Sequence, residues 1–200
     1  MVVTDIEPLG SRKVKIYLDD EPAFVLYKGE LHKYWISVGN EINPTVCNEI
    51  NTVLLPKRAK LRLMKLLQKR PYTEAELRRK LDCGEYPDEA VNEAIAYVSS
   101  YGYLDDSAYA SDYIETYIDR KSKRSIEMEL IKRGISKIDI EAAWSRAEER
   151  GFSQNENAQI EALLKKKGYD SDKADMKEKQ RIYAFLLRKG FLAENISHYI

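Results

Sequence analysis

The chain has 200 residues and a mass of 23.2 kDa, enough to bury a sizeable core in one or two domains. Lys plus Arg and Asp plus Glu both number 33, so the formal charge is zero, which argues against a strongly basic nucleic-acid coat. Charged residues are 33% of the chain and its apolar runs, such as Ala23 to Tyr27, fall far short of a membrane span, pointing to a soluble, cytoplasmic protein with no membrane partner. Two cysteines and two histidines offer neither a disulfide framework nor a metal-ligand spacing. All nine glycines are isolated, as suits turns and helix ends and not a phosphate-cradling loop. No cofactor and no enzymatic activity are therefore expected.

In chain order, the first 55 residues differ from the rest. Val14, Ile16 and Leu18 alternate with Lys15 and Tyr17, the period of a half-buried strand. Asp19 to Pro22 reads as a turn and Ala23 to Tyr27 as the returning strand of a hairpin. Leu31, Tyr34 and Trp35 follow at helical spacing, predicting a short amphipathic helix over that hairpin. Asn43-Pro44 supplies an N-cap with proline at the first helical position, and Pro56 is expected to end the helix at Leu55.

Beyond residue 56 the pattern is helices with chemical punctuation. Ala59, Leu63, Leu66 and Leu67 form one apolar stripe, and Thr73-x-x-Glu76 is a capping box. Pro87 stands at a helix entrance, Tyr101-Gly102 at a helix end, and Asp105-Asp106 at the next helix start. Ser136-x-x-Asp139 and Ser153-x-x-Glu156 are two further start signals. A cap with an added first-turn acid explains Asp105 and Asp106 better than a paired-carboxylate site does.

These helices repeat. Offsets of 49 and 56 residues align Leu77, Ile126 and Ile182; Leu81, Leu130 and Leu186; and Tyr86, Ile135 and Phe191. The columns continue as Val91, Ile140 and Ile196, then Ala94, Ala143 and Tyr199, then Ile95, Trp144 and Ile200. Two copies share a basic-basic-Gly stop, Lys132-Arg133-Gly134 and Arg188-Lys189-Gly190. Each copy reads as three helices, the first long and the last of the third copy cut short. The expected fold class is mainly α: tandem three-helix repeats stacked into an elongated curved body, with a small N-terminal β-hairpin/α element. The divisions are 1–55, 56–104, 105–152 and 153–200.

At this point the residues resemble a known family, the RecX regulators of the bacterial recombinase RecA. Gly102-Tyr103-Leu104-Asp105-Asp106-Ser107-Ala108-Tyr109-Ala110 is similar to the family's Gly-Tyr-Leu-Asp-Asp followed by an aromatic-Ala pair. Arg70 to Leu81 resembles its Arg-x-x-Ser-x-x-Glu-Leu-x-x-Lys-Leu segment, and Lys123 to Ile135 its basic-x-Ile-x-x-Glu-Leu-x-x-Lys-Gly-Ile segment. The usual Gly-Pro before that arginine is replaced by Ser122-Lys123, and the N-terminal hairpin is similar to an extension on many members. The resemblance implies a non-catalytic monomer that docks into the groove of the RecA–single-stranded DNA filament. It further implies inhibition of strand exchange and of RecA ATP hydrolysis, with at most weak affinity for single-stranded DNA itself. Two rivals remain: an independent helical nucleic-acid-binding module, and a generic helical-repeat adaptor.

Charge by region is uneven. Residues 1–55 hold 5 bases and 8 acids, residues 56–104 hold 10 and 7, residues 105–150 hold 9 and 11, and residues 151–200 hold 9 and 7. On the repeated middle helices, Arg78, Arg79, Arg124, Lys132 and Arg133 are candidates for contact with phosphate or with an acidic filament surface. The competing reading pairs them within their own helices, Glu74 with Arg78, Glu76 with Lys80 and Glu129 with Arg133. Tyr109, Tyr113 and Tyr117 share one helix face and are expected to pack between repeats in preference to stacking on bases.

Overall fold

The structure is a computed structural model describing residues 1–200, and it divides into two compact units, Met1–Leu104 and Asp105–Ile200. The first unit opens with three strands, β1 (Val3–Leu9), β2 (Lys13–Leu18) and β3 (Glu21–Tyr27), antiparallel in that order. The expected hairpin is β2–β3; β1 is an addition. Val14, Ile16 and Leu18 are buried, as their alternation requires. Asp19 and Asp20 both have positive φ, 49° and 68°, and join Leu18 to Glu21 as a tight two-residue turn. Such turns match the right-handed twist of the strands. β1 lacks the alternating signature because only Val3 is fully buried on it. It also carries Pro8, which an edge position tolerates since the missing N–H leaves no ladder gap on the solvent side.

After the sheet come α1 (Lys28–Lys33) and α2 (Pro44–Glu49), the latter capped by Asn43, whose side chain accepts from the Thr45 N–H at 2.9 Å. Leu31 and Tyr34 pack on the sheet core, but Trp35 does not belong to that face. The helix has ended, Trp35 sits at φ 55°, and Ile36 is buried in its stead while Trp35 is 80% exposed.

Pro56 does not end the next helix. α2 passes through a π-helical turn (Ile50–Leu54) straight into α3 (Leu55–Leu67), with Pro56 buried inside. The Leu55 N–H reaches back five residues to the Ile50 carbonyl. This wider turn shifts the hydrogen-bond register just where proline offers no donor and its ring crowds the preceding turn.

α4 (Glu74–Asp82) and α5 (Asp88–Ser100) complete the first three-helix domain; α6 (Asp106–Tyr117), α7 (Lys123–Lys132) and α8 (Lys137–Glu149) form the second. α9 (Glu156–Lys167), α10 (Met176–Arg188) and the short α11 (Ala193–Ser197) form the third. The capping box at Thr73 is present, with Thr73 Oγ1 accepting from Glu76 N–H and Glu76 accepting from Thr73 N–H. Asp105 and Ser136 cap α6 and α8. The α9 cap is Asn155 and not Ser153, since Asn155 Oδ1 takes the Ala158 N–H at 3.0 Å.

The aligned columns sit in separate cores: Leu81 with Leu77, Val91 and Ile95; Leu130 with Ile126, Ile140 and Trp144; and Leu186 with Ile182, Phe191 and Ile196. All three leucines have zero exposure. Gly134 and Gly190 both end their middle helices at φ 92°, while the first domain places Glu85 there at φ 56°.

Candidate partner-binding surface

The five basic candidates do not converge. Arg78 lies on α4, its Nε donating to Glu74 Oε1 at 2.7 Å and its Nη1 to Asn92 Oδ1 at 2.8 Å. Arg79 is exposed and donates to the Ala75 carbonyl at 3.2 Å. On α7, Arg124 stands near the N-terminus and Lys132 and Arg133 at the C-terminus, roughly 12 Å apart along the axis. Arg124 is exposed and borders a cavity of about 730 Å³ lined also by Lys123, Glu127, Glu156 and Asn195.

Arg133 faces inward. Its guanidinium lies 4.6 Å from the Tyr113 ring centre and 3.6 Å from the Glu129 carboxylate. There it joins a network that sequence spacing alone does not reveal. Lys121 Nζ donates to both Glu129 oxygens, at 2.8 and 2.7 Å, and lies over the Tyr117 ring at 4.2 Å. The Tyr113 hydroxyl donates to the same carboxylate. Burial pushes the Glu129 carboxyl up, but hydrogen bonds from Lys121 and Tyr113 outweigh it and hold the pKa below its usual value. Burial together with the Glu129 bond raises Tyr113. Only the Glu129–Arg133 leg was legible, from its i, i+4 spacing; Lys121 lies in the turn before the helix, where periodicity is silent. The three tyrosines accordingly pack within their own domain, Tyr113 buried and the others partly so, and not between repeats.

Of the other intrahelical pairs, Glu74–Arg78 is formed at 2.7 Å. Glu76 is instead occupied by the Thr73 cap and by Arg70 at 3.5 Å, so the expected partner of Lys80 is engaged elsewhere. Within the second unit, the third domain seats its α10 end on the start of α7. Ser122 Oγ donates to the Lys189 carbonyl at 2.9 Å while capping α7 through the Ser125 N–H. Gln159 Nε2 and Gln154 Nε2 donate to the carbonyls of Ile118 and Lys121, and the Lys123 N–H donates to Glu156. No group of three or more His, Cys, Asp and Glu side chains is placed to hold a metal ion. No helix is long and apolar enough to cross a membrane.

Family comparisons follow the same domain pattern. Residues 59–97 match the first three-helix domain of RecX, residues 105–143 the second and residues 154–200 the third. The chain belongs to the RecX family. Relatives include the regulatory protein RecX of Clostridium botulinum (strain Alaska E43 / Type E3), 27% identical over 192 residues, covering 94% of this chain and 88% of the relative. That of Caldanaerobacter subterraneus subsp. tengcongensis is 29% identical over 187 residues, covering 93% and 91%. A crystal structure of regulatory protein RecX superimposes with a TM-score of 0.58 over 98% of this chain and 97% of its own, at 23% identity. RecX from Lactobacillus salivarius gives 0.54 over 72% and 93%, at 20% identity. At such identities the two structures speak for the RecX fold, sheet included for the first, whose match spans nearly all of both chains.

Proposed function

We propose that this RecX protein binds the RecA–single-stranded DNA filament and acts mainly as an inhibitor of RecA ATP hydrolysis and strand exchange. In this reading it regulates recombination and DNA repair in the cytoplasm, as a monomer and without catalysis of its own. The observation that carries it is the tandem set of three RecX domains along one chain, matched by relatives described as regulatory proteins over nearly their whole length. The residue divisions 1–55, 56–104, 105–152 and 153–200 are part of the proposal, with the break between compact units at Leu104/Asp105 in their favour.

Arg78, Arg79, Arg124, Lys132 and Arg133 remain the proposed contact residues, now with unequal roles. Arg79, Arg124 and Lys132 present exposed side chains, whereas Arg78 and Arg133 are half-buried and engaged with neighbours. Reversing charge at Arg124 and Lys132 should weaken inhibition with little change in melting, because exposed charges contribute at most about 1 kcal/mol. Adding Arg133 to that set should lower stability as well, through the Tyr113–Glu129 network.

The test is RecA ATPase on single-stranded DNA with the folded protein titrated in. A dose-dependent fall supports the reading; unchanged hydrolysis at large molar excess overturns it. An independent DNA-binding module would bind bare DNA as tightly as it binds the filament, and a generic adaptor would bind neither.

A further inference from the structure

In the second unit three helix starts meet. α7 opens with Lys123-Arg124, α9 with Glu156-Asn157 and α11 with Ala193, and the cavity of about 730 Å³ lies among them. Its wall includes Lys123, Arg124, Glu127, Glu156, Asn157 and Asn195, two cations against two carboxylates with amides between. Part of this wall is already committed. Glu156 accepts from the Lys123 N–H at 2.9 Å and from Asn195 Nδ2 at 3.0 Å, which ties the three starts together. Lys123 Nζ rests 4.9 Å from the Trp144 ring centre.

Two opposite charges in the wall stay uncommitted. Arg124 and Glu127 stand three positions apart on α7, a spacing at which such residues commonly pair, yet neither enters an ion pair or a hydrogen bond. Glu127 is half-buried, and an ion pair formed there is screened less than one in open solvent. The Arg124 guanidinium is a planar fork that fits a carboxylate bidentately. Their stems are offset by about 4.5 Å along the helix axis, at 1.5 Å per residue. Two extended peptide residues span at most about 7 Å, within reach of two long side chains so placed. The cavity volume lies within the range of small-molecule sites, roughly 300–1,000 Å³. A polyanion gains little here, because it meets Glu127 and Glu156 as like charges.

We propose that this cavity binds a zwitterionic dipeptide, with its carboxylate on Arg124, its ammonium on Glu127 and its peptide group against Asn157. An asparagine amide offers a donor and an acceptor together, as a peptide group does. The volume left over accommodates the side chains of the dipeptide. A simple anion would use Arg124 alone and leave Glu127 unpartnered. The site needs no partner protein, and it does not rest on the RecA reading.

The test is isothermal titration calorimetry of the full chain with dialanine, with RecA absent and melting measured alongside. Dialanine should bind the wild type and raise its melting temperature with concentration, as a ligand of the folded state does. Arg124→Ala and Glu127→Gln should each weaken binding about tenfold or more, the worth of one charge-assisted contact. Blocked peptides assign the two ends. N-acetyl-dialanine, which lacks the ammonium, should be weakened by Arg124→Ala and indifferent to Glu127→Gln. Dialanine amide, which lacks the carboxylate, should show the reverse. Should either variant fail to fold, the wild type still decides, because each blocked peptide should bind it about tenfold or more weakly than dialanine does. A wild type that does not bind dialanine overturns the proposal. So does equal affinity for N-acetyl-dialanine amide, which would show that the charges play no part. Displacement of dialanine by an equal concentration of acetate also overturns it, since that would leave a site for anions alone.

Discussion

At the scale of single residues, two positions test the account most directly. Leu130 is fully buried among Ile126, Ile140, Ala143 and Trp144, so truncation would remove its contacts and leave a void. Leu130→Ala should cost about 2–5 kcal/mol in a denaturant titration. An unchanged midpoint would refute the repeat alignment that puts it in register with Leu81 and Leu186. Glu129 supplies the pH test. Its folded pKa is depressed, so the stability it contributes is present above the ordinary carboxylate pKa and disappears as pH falls through the lower folded value. At neutral pH, Glu129→Gln should therefore melt below the wild type. The gap should close at acid pH, with Arg133 and Lys121 then lacking a counter-charge in both proteins. A gap independent of pH would mean that Glu129 acts through shape and not through its charge. The effect should be small, because about a third of the side chain faces solvent.

At the scale of elements, helices were legible where chemistry punctuates them. Thr73, Asp105 and Ser136 declared helix starts because each side chain replaces a missing backbone partner, and that signal is local. β1 was illegible because an edge strand with one buried residue needs no alternation, only a neighbour to pair with. Pro56 misled because a local rule met a tertiary solution, the π turn before it. Ser153 lost the cap to Asn155, two residues nearer the helix, although both residues suit the role. The basic candidates were legible as residues but not as a surface, since Arg133 is turned inward by Tyr113 from another helix, in a network closed by Lys121 from the preceding turn. The joint between the second and third domains yields a further prediction. A Cβ on Gly190 would lie 2.5 Å from Ser122 Oγ and 3.2 Å from the Ser125 N–H, and Gly190 also holds a φ of 92°. Gly190→Ala should cost about 1–3 kcal/mol from backbone strain, with the clash in addition. Ser122→Ala alone should also cost about 0.5–2 kcal/mol through the lost α7 cap, but it removes the clashing atom, so the loss in Gly190→Ala/Ser122→Ala should be smaller than the sum of the two single losses. Strictly additive losses would show that the turn is not seated on α7.

At the scale of the whole molecule, the fold joins modules that each have their own apolar core. The sheet encloses Ile16, Leu26 and Ile50, and shares Leu55 and Ala90 with the first three-helix domain. That attachment is reinforced by Arg58 on α3. Its Nη2 donates to both Glu30 oxygens at 2.6 and 2.7 Å, its Nη1 donates to the Val25 carbonyl, and its guanidinium lies 4.6 Å from the Tyr27 ring centre. Lys15 on β2 meets Glu85 at 3.2 Å, a second tie between sheet and helices. The second unit is held in the same manner, by two cores and by the bonds from Ser122, Gln154 and Gln159 across its domains. Each unit thus has its own apolar cores and its own hydrogen bonds between the modules it joins, which is what independent folding requires. Residues 105–200 expressed alone should give a helical protein with a cooperative thermal transition, and residues 1–104 should do likewise. The third domain alone should not, because α11 is only five residues long and Ser122 is its seat. Circular dichroism and amide exchange on the three fragments decide the matter. A disordered 105–200 fragment would show that its two cores depend on the first unit, and a folded third-domain fragment would show that the Ser122 joint is dispensable.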